Sequence, residues 1–188
     1  MTVNPYDHNA RYTDVMEGFL AESRRNLVAA MARIEHCVGQ LSDEQAWWRP
    51  RPEMNSIGNL LLHLSGNVGQ WVISAIEGSA STRDRPAEFA ERQAIPKVEL
   101  MGRLKETVDR AASLIGSIKT PEQLLAGRRI QGNDTTVLTA IYHSISHFEG
   151  HSQEIVGMTR QILGEKYQFL WVPKSPEQIS ASKEIPQA

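Results

Sequence analysis

Apolar side chains recur at helical spacing in four long segments, and this periodicity constrains the fold of the chain more than any other feature. Steps of three, four and seven residues place side chains on one face of an α-helix, so each segment presents one apolar stripe. The helices are predicted at 13–40, 55–78, 97–118 and 135–163. Helices that each bury one stripe pack against one another, and no series of strands is expected between them. The expected fold is all-α, a four-helix bundle.

The connections between these helices differ in length. Residues 79–96 are rich in Ser, Arg and Pro and predict a long loop, whereas 127–134 predict a loop or a small hairpin. The polar, proline-containing tail at 173–188 is expected to hold little regular structure. We therefore expect a single domain at 1–172 followed by that tail.

The composition argues against several classes of protein. The formal net charge of -2 gives no electrostatic reason to expect a nucleic acid or an anionic membrane as partner. The single cysteine, Cys37, cannot form an internal disulfide, which fits a reducing compartment. No apolar run is long enough to span a bilayer, and residues 1–11 lack the apolar core of a signal peptide. A soluble cytoplasmic protein with a small-molecule substrate is expected.

Three histidines form the candidate site. His147 and His151 are four residues apart in the last predicted helix, so their rings lie on one face, and His63 lies in the second predicted helix. Three histidine ligands leave one coordination position open, as in catalytic rather than structural zinc sites. A pair at this spacing also arises by chance, and for His63 taken alone the simpler interpretation is a core-edge histidine bonded to a backbone carbonyl or to Asn67.

Two other kinds of metal site do not fit the sequence. The di-iron sites of helical bundles use Glu-x-x-His motifs, and the chain contains none. The zinc-protease motif His-Glu-x-x-His needs a glutamate next to the first histidine, whereas Glu149 is two residues after His147.

The remaining histidines are predicted not to bind metal. His8 precedes the first helix, His36 lies opposite the apolar stripe and is expected to be exposed, and His143 lies further round the last helix. By the same helical projection, Glu154 lies beside the histidine pair and Asn67 lies near the middle of the second helix's buried face. The candidate ligands therefore lie at the margins of apolar faces, where a pocket between two helices can open to solvent.

Two segments resemble a known family. Residues 55–67 are similar to the second-helix motif of the DinB/YfiT-like superfamily, and 141–155 are similar to its last-helix motif. Residues 83–89 resemble a segment common in one branch of that superfamily. The resemblance covers 13–163 and implies an up-down-down-up bundle that binds a divalent metal, zinc or nickel, through one histidine of the second helix and two of the last. On this chain those positions are His63, His147 and His151.

The resemblance also implies a range of chemistry. Some relatives are thiol-dependent transferases or isomerases that use bacillithiol, mycothiol or glutathione, and others have no assigned reaction. This chain departs from the family pattern, because Glu154 stands where a glutamine often follows the last histidine by three residues. Glu154 could bond to a ligand histidine, bind the metal or act as a general base, or it could be a solvated helix residue.

Two functions compete on this sequence. In a metal-dependent enzyme, a bound thiolate would transfer sulfur or a bound hydroxide would hydrolyse, with Asn67 or Glu154 orienting a ligand or moving a proton. Arg128 and Arg129 could hold an anionic group of a cofactor, although a solvated loop is the simpler interpretation. In a non-enzymatic stress or interaction protein, aromatic side chains and the loop at 79–96 would form a homodimer interface. The tryptophans concerned are Trp47, Trp48, Trp71 and Trp171.

Overall fold

Helices make up most of the structure, a computed structural model that describes residues 11–171. The helices are α1 Val15–Gly39, α2 Asp43–Trp47, α3 Ile57–Val68, α4 Ala75–Glu77, α5 Arg85–Ala90, α6 Lys97–Ser117, α7 Pro121–Leu125 and α8 Val137–Leu163. A π-helical turn at Gly69–Ser74 joins α3 to α4, and a 3-10 turn at Gly164–Lys166 follows α8. The all-α class is confirmed. The predicted tail at 173–188 lies outside the described residues.

The ends of the long helices follow from their capping residues. The carboxylate of Asp14 accepts the backbone N–H of Glu17 at 2.9 Å, which caps the start of α1. The hydroxyl of Thr136 accepts from Thr139 in the same way at the start of α8. The second helical segment stops at Gly78, whose φ of 68° favours glycine. Each predicted helix is therefore found within a few residues of its expected bounds.

The four long segments enclose one core. The first, α1, packs against α6 and α8, and the second, which begins with α3, packs against the same two helices. The predicted stripes are buried there, and Leu60, Leu64 and Phe148 are completely shielded from solvent. Burying one such side chain contributes about 1.5–3 kcal/mol, so these stripes are the main source of stability.

The segment at 79–96 is not wholly a loop, and that expectation is corrected. It contains α5, which Asp84 caps by accepting the backbone N–H of Ala87 at 3.0 Å. Pro86 in the first turn cannot disturb the helix, because backbone N–H groups there lack helical partners. The buried amide of Asn59 in α3 donates to the carbonyl of Glu88 at 2.9 Å and thereby ties α5 to the bundle.

A small hairpin precedes α8, which decides between the two expectations for 127–134. Strand β1, Gly127–Ile130, pairs antiparallel with β2, Asn133–Thr136. The two turn residues between them, Gln131 and Gly132, have φ of 52° and 82°, as a two-residue hairpin turn of the primed type requires.

Within 11–171, no helix is both long enough and apolar enough to cross a bilayer.

Candidate metal centre

Helices α3 and α8 bring the three candidate histidines together. The Nε2 atoms of His63 and His147 are 3.1 Å apart. The ring of His151 has its centroid 4.5 Å from that of His147 and 5.2 Å from that of His63. One ring nitrogen from each residue lies within 4.8 Å of the other two. The rings face one point, as the spacing predicts, while their role as metal ligands stays a prediction.

The donor set fits a divalent metal. Two nitrogens bound to one tetrahedral zinc at about 2.05 Å are about 3.3 Å apart, close to the separation observed between His63 and His147. Burial, reinforced by the neighbouring His151 and His63, lowers the pKa of His147 to about 3. His147 is therefore neutral near pH 7 and keeps a nitrogen lone pair for a metal. Imidazole nitrogens suit zinc and nickel among other ions.

A carboxylate lies behind His151. Nδ1 of His151 is 2.7 Å from Oε2 of Glu154, which lies about one helical turn further along α8. The hydrogen bond from His151 holds the pKa of Glu154 below its usual range, although burial works in the other direction. An ionised carboxylate accepts a hydrogen from Nδ1, which leaves the lone pair on Nε2.

A second carboxylate, unassigned in the sequence analysis, lies behind His63. Oε2 of Glu88 in α5 is 2.9 Å from Nδ1 of His63. Burial opposes ionisation of Glu88, but hydrogen bonds from Arg83 and His63 outweigh it and hold the pKa of Glu88 below its usual range. The ring of Phe89 covers His63 at a centroid distance of 4.6 Å. The only sequence signal for these contacts is the family-like segment at 83–89.

Asn67 is as buried as His63 and more buried than His147 and His151. Its side-chain oxygen accepts a hydrogen bond from the hydroxyl of Ser144 at 2.8 Å, and both residues are buried between α3 and α8. The contact satisfies a polar group on an apolar face, which would otherwise cost stability. The catalytic roles of Asn67 and Glu154 stay predictions.

The two other described histidines, His36 and His143, lie outside the cluster. His143 is exposed and stacks on Trp71 at 4.2 Å, with its ring 6.0 Å from that of His147. His36 is half-buried rather than exposed, because its Nε2 lies 2.6 Å from the backbone carbonyl of Gln168. His8 lies outside the described residues.

The two arginines of the hairpin both have protein partners. Arg128 donates to the carbonyl of Ala75 at the end of the second helical segment. Arg129 forms a largely exposed ion pair with Asp134 at 2.8 Å. These contacts fit a structural role for Arg128 and a solvated role for Arg129. Binding of an anionic cofactor group by the two arginines stays a prediction.

The tryptophans divide into two pairs. Trp47 and Trp71 are buried, whereas Trp48 and Trp171 are 42% and 44% exposed.

The thiol of Cys37 is buried, and burial raises its pKa, so the thiolate required for reactivity is disfavoured.

Residues 14–176 match the family described as "Protein of unknown function (DUF1572)", and the chain belongs to that family. A conserved protein from Enterococcus faecalis has a similar crystal structure, with a TM-score of 0.66 and 22% identity over 81% of this chain and 99% of its own. A DinB-like protein, YjoA from Bacillus subtilis, has a TM-score of 0.60 and 15% identity over 79% of this chain and 97% of its own. These two likenesses concern the fold, which is the helical fold that the resemblance to the DinB/YfiT-like superfamily implies. No curated protein matches the chain.

Proposed function

We propose that this protein is a divalent-metal-dependent enzyme that transfers a low-molecular-weight thiol to a small electrophilic molecule, or hydrolyses such a molecule. His63, His147 and His151 would hold zinc or nickel. The carrying observation is their convergence: one ring nitrogen from each lies within 4.8 Å of the others. Among the described residues that cluster contains three donors and no fourth. Three ligands leave a position open, which favours catalysis over a purely structural ion.

A divalent ion at this site would lower the pKa of a thiol or water in its open position. Glu154 holds the ring of His151 in a fixed orientation through the 2.7 Å contact to Nδ1. A general base works best when its pKa is near the working pH, and the pKa of Glu154 is lowered instead. The orienting role therefore fits Glu154 better than proton abstraction.

The bundle proposed for this enzyme has up-down-down-up order. Helix α1 contacts α6 and α8, and the second helical segment, which begins with α3, contacts the same two helices. The long connection at 79–96 supports parallel second and third segments, because a chain must travel the length of a bundle between parallel neighbours. Homodimer formation and a cytoplasmic location remain predictions.

A non-enzymatic metal-binding protein of the same fold is the second candidate. The exposed indole rings of Trp48 and Trp171 favour it, since aromatic side chains are enriched where proteins associate. Both candidates predict bound metal, and only the enzyme predicts turnover.

The test begins with metal analysis of the purified protein, followed by transfer assays with bacillithiol, mycothiol and glutathione. We expect His151→Ala to lose metal and turnover while the helical circular dichroism is kept, since the buried stripe of α8 is untouched. His143→Ala is the matched control, because it removes an exposed histidine of the same helix that lies outside the cluster. A His151→Ala protein without metal but with full activity would refute the metal mechanism. Bound metal without turnover in any assay would favour the second candidate.

A further inference from the structure

The face of α3 beside His63 carries a notch at Gly66, one helical turn further on. A Cβ atom added to Gly66 would lie 1.9 Å from Oε1 of Glu88 and 2.8 Å from Nε of Arg83. No alanine can therefore share this space with the two side chains in their observed positions. Glycine inside a helix costs about 1 kcal/mol relative to alanine. Gly66 therefore lowers the intrinsic stability of α3 but leaves space for the side chains of Arg83 and Glu88.

Arg83 and Glu88 fill this notch as a two-point ion pair. Nε of Arg83 donates to Oε1 at 2.7 Å and Nη2 donates to Oε2 at 2.8 Å. The two side chains are only 4% and 10% exposed. Buried ion pairs contribute little net stability, because desolvation offsets their attraction. Two parallel hydrogen bonds do, however, fix the plane of a carboxylate, which suggests an orienting role.

The oriented carboxylate determines which nitrogen of His63 carries hydrogen. Oε2 of Glu88 is 2.9 Å from Nδ1 of His63, and Nη2 of Arg83 is 3.0 Å from the same nitrogen. A lone pair on Nδ1 would be repelled by the carboxylate, whereas an Nδ1–H and the guanidinium can both donate to Oε2. Nδ1 therefore carries the hydrogen, and the lone pair lies on Nε2, the atom that faces His147 at 3.1 Å.

We propose that Glu88 is a positioning residue of the metal centre: held by Arg83 in the notch at Gly66, it fixes the ring and tautomer in which His63 offers Nε2 to the metal. This inference rests on the proposed metal centre and extends it by a residue from α5. A ligand histidine whose other nitrogen donates to a carboxylate is better oriented and more basic.

The competing explanation is that the ion pair only attaches α5 to the bundle. Asn59 already provides an attachment, since its amide donates to the carbonyls of Glu88 and Glu91 at 2.9 and 3.1 Å. A purely structural pair would affect unfolding without affecting metal affinity. The two explanations therefore differ in what a zinc titration shows.

The experiment compares Glu88→Gln and Gly66→Ala with the wild-type chain. Zinc affinity is measured by competition with a chromogenic chelator, and the ¹⁵N shifts of His63 are recorded in the metal-free protein. Glu88→Gln keeps the shape but turns an amide N–H₂ toward a donor, and Gly66→Ala displaces the whole ion pair. We expect each to weaken zinc binding about 10–100-fold. The wild-type shifts should show hydrogen on Nδ1.

Gly69→Ala is the matched control, because it makes the same change in the same helical segment, where a Cβ meets nothing within 4 Å. Its zinc affinity should stay within twofold of wild type. Should Glu88→Gln fail to fold, Gly66→Ala still decides, since alanine favours the helix itself.

Three outcomes would overturn the inference: folded variants with wild-type affinity, a control weakened as much as Gly66→Ala, or wild-type His63 with hydrogen on Nε2. Absence of turnover alongside the expected affinity changes would overturn only the enzymatic proposal. A wild-type protein that binds neither zinc nor nickel would overturn both.

Discussion

Replacing Asn59 by alanine would remove the hydrogen bonds that join α3 to the segment carrying Glu88. Asn59 is fully buried at the third position of α3. Its side-chain oxygen accepts from the backbone and hydroxyl of Ser56, at 3.2 and 2.8 Å, and from the guanidinium of Arg49 at 2.7 Å. Its amide donates to the carbonyls of Glu88 and Glu91.

The expected loss is about 3–5 kcal/mol of unfolding free energy. Each neutral hydrogen bond contributes about 0.5–1.5 kcal/mol net, the one from the charged arginine about 1.5–3, and a buried donor left unpaired adds a penalty. These contributions are not additive, so the estimate lies below their sum. A loss of this size is a large fraction of the stability of a typical domain, about 5–15 kcal/mol.

Urea unfolding followed by circular dichroism measures the change. The control is Gln45→Ala, because Gln45 occupies the same capping-box position in α2 but is partly solvated, and its side chain accepts from the backbone N–H of Ser42. It should lose about 1 kcal/mol or less. The reasoning would be refuted if both variants lost the same amount, since the contacts to α5 and Arg49 would then contribute nothing measurable.

Three further predictions follow from the geometry. Gly58→Ala should destabilise the protein by about 1–3 kcal/mol in urea unfolding, because its Cβ would lie 2.8 Å from the indole of Trp47; Gly150→Ala, with nothing within 4 Å, should not. The metal-free protein should lose stability as the pH falls below 6.5. In the folded state the pKa of His147 is lowered to about 3, so between these pH values only the unfolded state binds a proton at His147. That loss should be about 1 kcal/mol per pH unit down to pH 5, allowing for partial solvent screening. His147→Gln should make the unfolding free energy less dependent on pH in this range. An unchanged slope would contradict the attribution of the pH dependence to His147. Glu154→Gln should weaken zinc binding about tenfold in chelator competition with unchanged unfolding, and equal affinity would show that its contact to the ring is incidental.

The helices and the histidine cluster could be predicted because their signals are local. The stripe that contains Leu60 and Leu64 follows helical spacing, and both of these side chains are completely buried. The four-residue step from His147 to His151 places both rings on one face, whatever the rest of the chain does. Pairing them with His63 required only that the two helices be neighbours, which the family resemblance implied.

The carboxylate behind His63 could not be predicted in this way. Glu88 is 25 residues from His63, across a segment whose path depends on tertiary contacts. The sequence around Gly66 does not distinguish it from other helical glycines. The need for glycine at this position is evident only from the side chains that pack against it in the structure. Asp84 and Pro86 did offer a helix-start signal, but in a segment of six residues that signal is weak without the bonds from Asn59.

The π-helical turn at Gly69–Ser74 would shift the correspondence of residues between this protein and any relative that has an unbroken α-helix here. A π turn closes its hydrogen bonds over five residues instead of four, so it absorbs about one residue more than the same length of α-helix. A relative with an unbroken α-helix here would be one residue shorter between the positions of His63 and Gly78. An alignment without a gap would then pair each residue of this helix after Val68 with a residue one position away from its structural equivalent. The side-chain direction inferred from such a pairing would be wrong by about 100° around the helix axis. Residue roles can be transferred between this chain and such a relative only if a single-residue gap is placed within the turn.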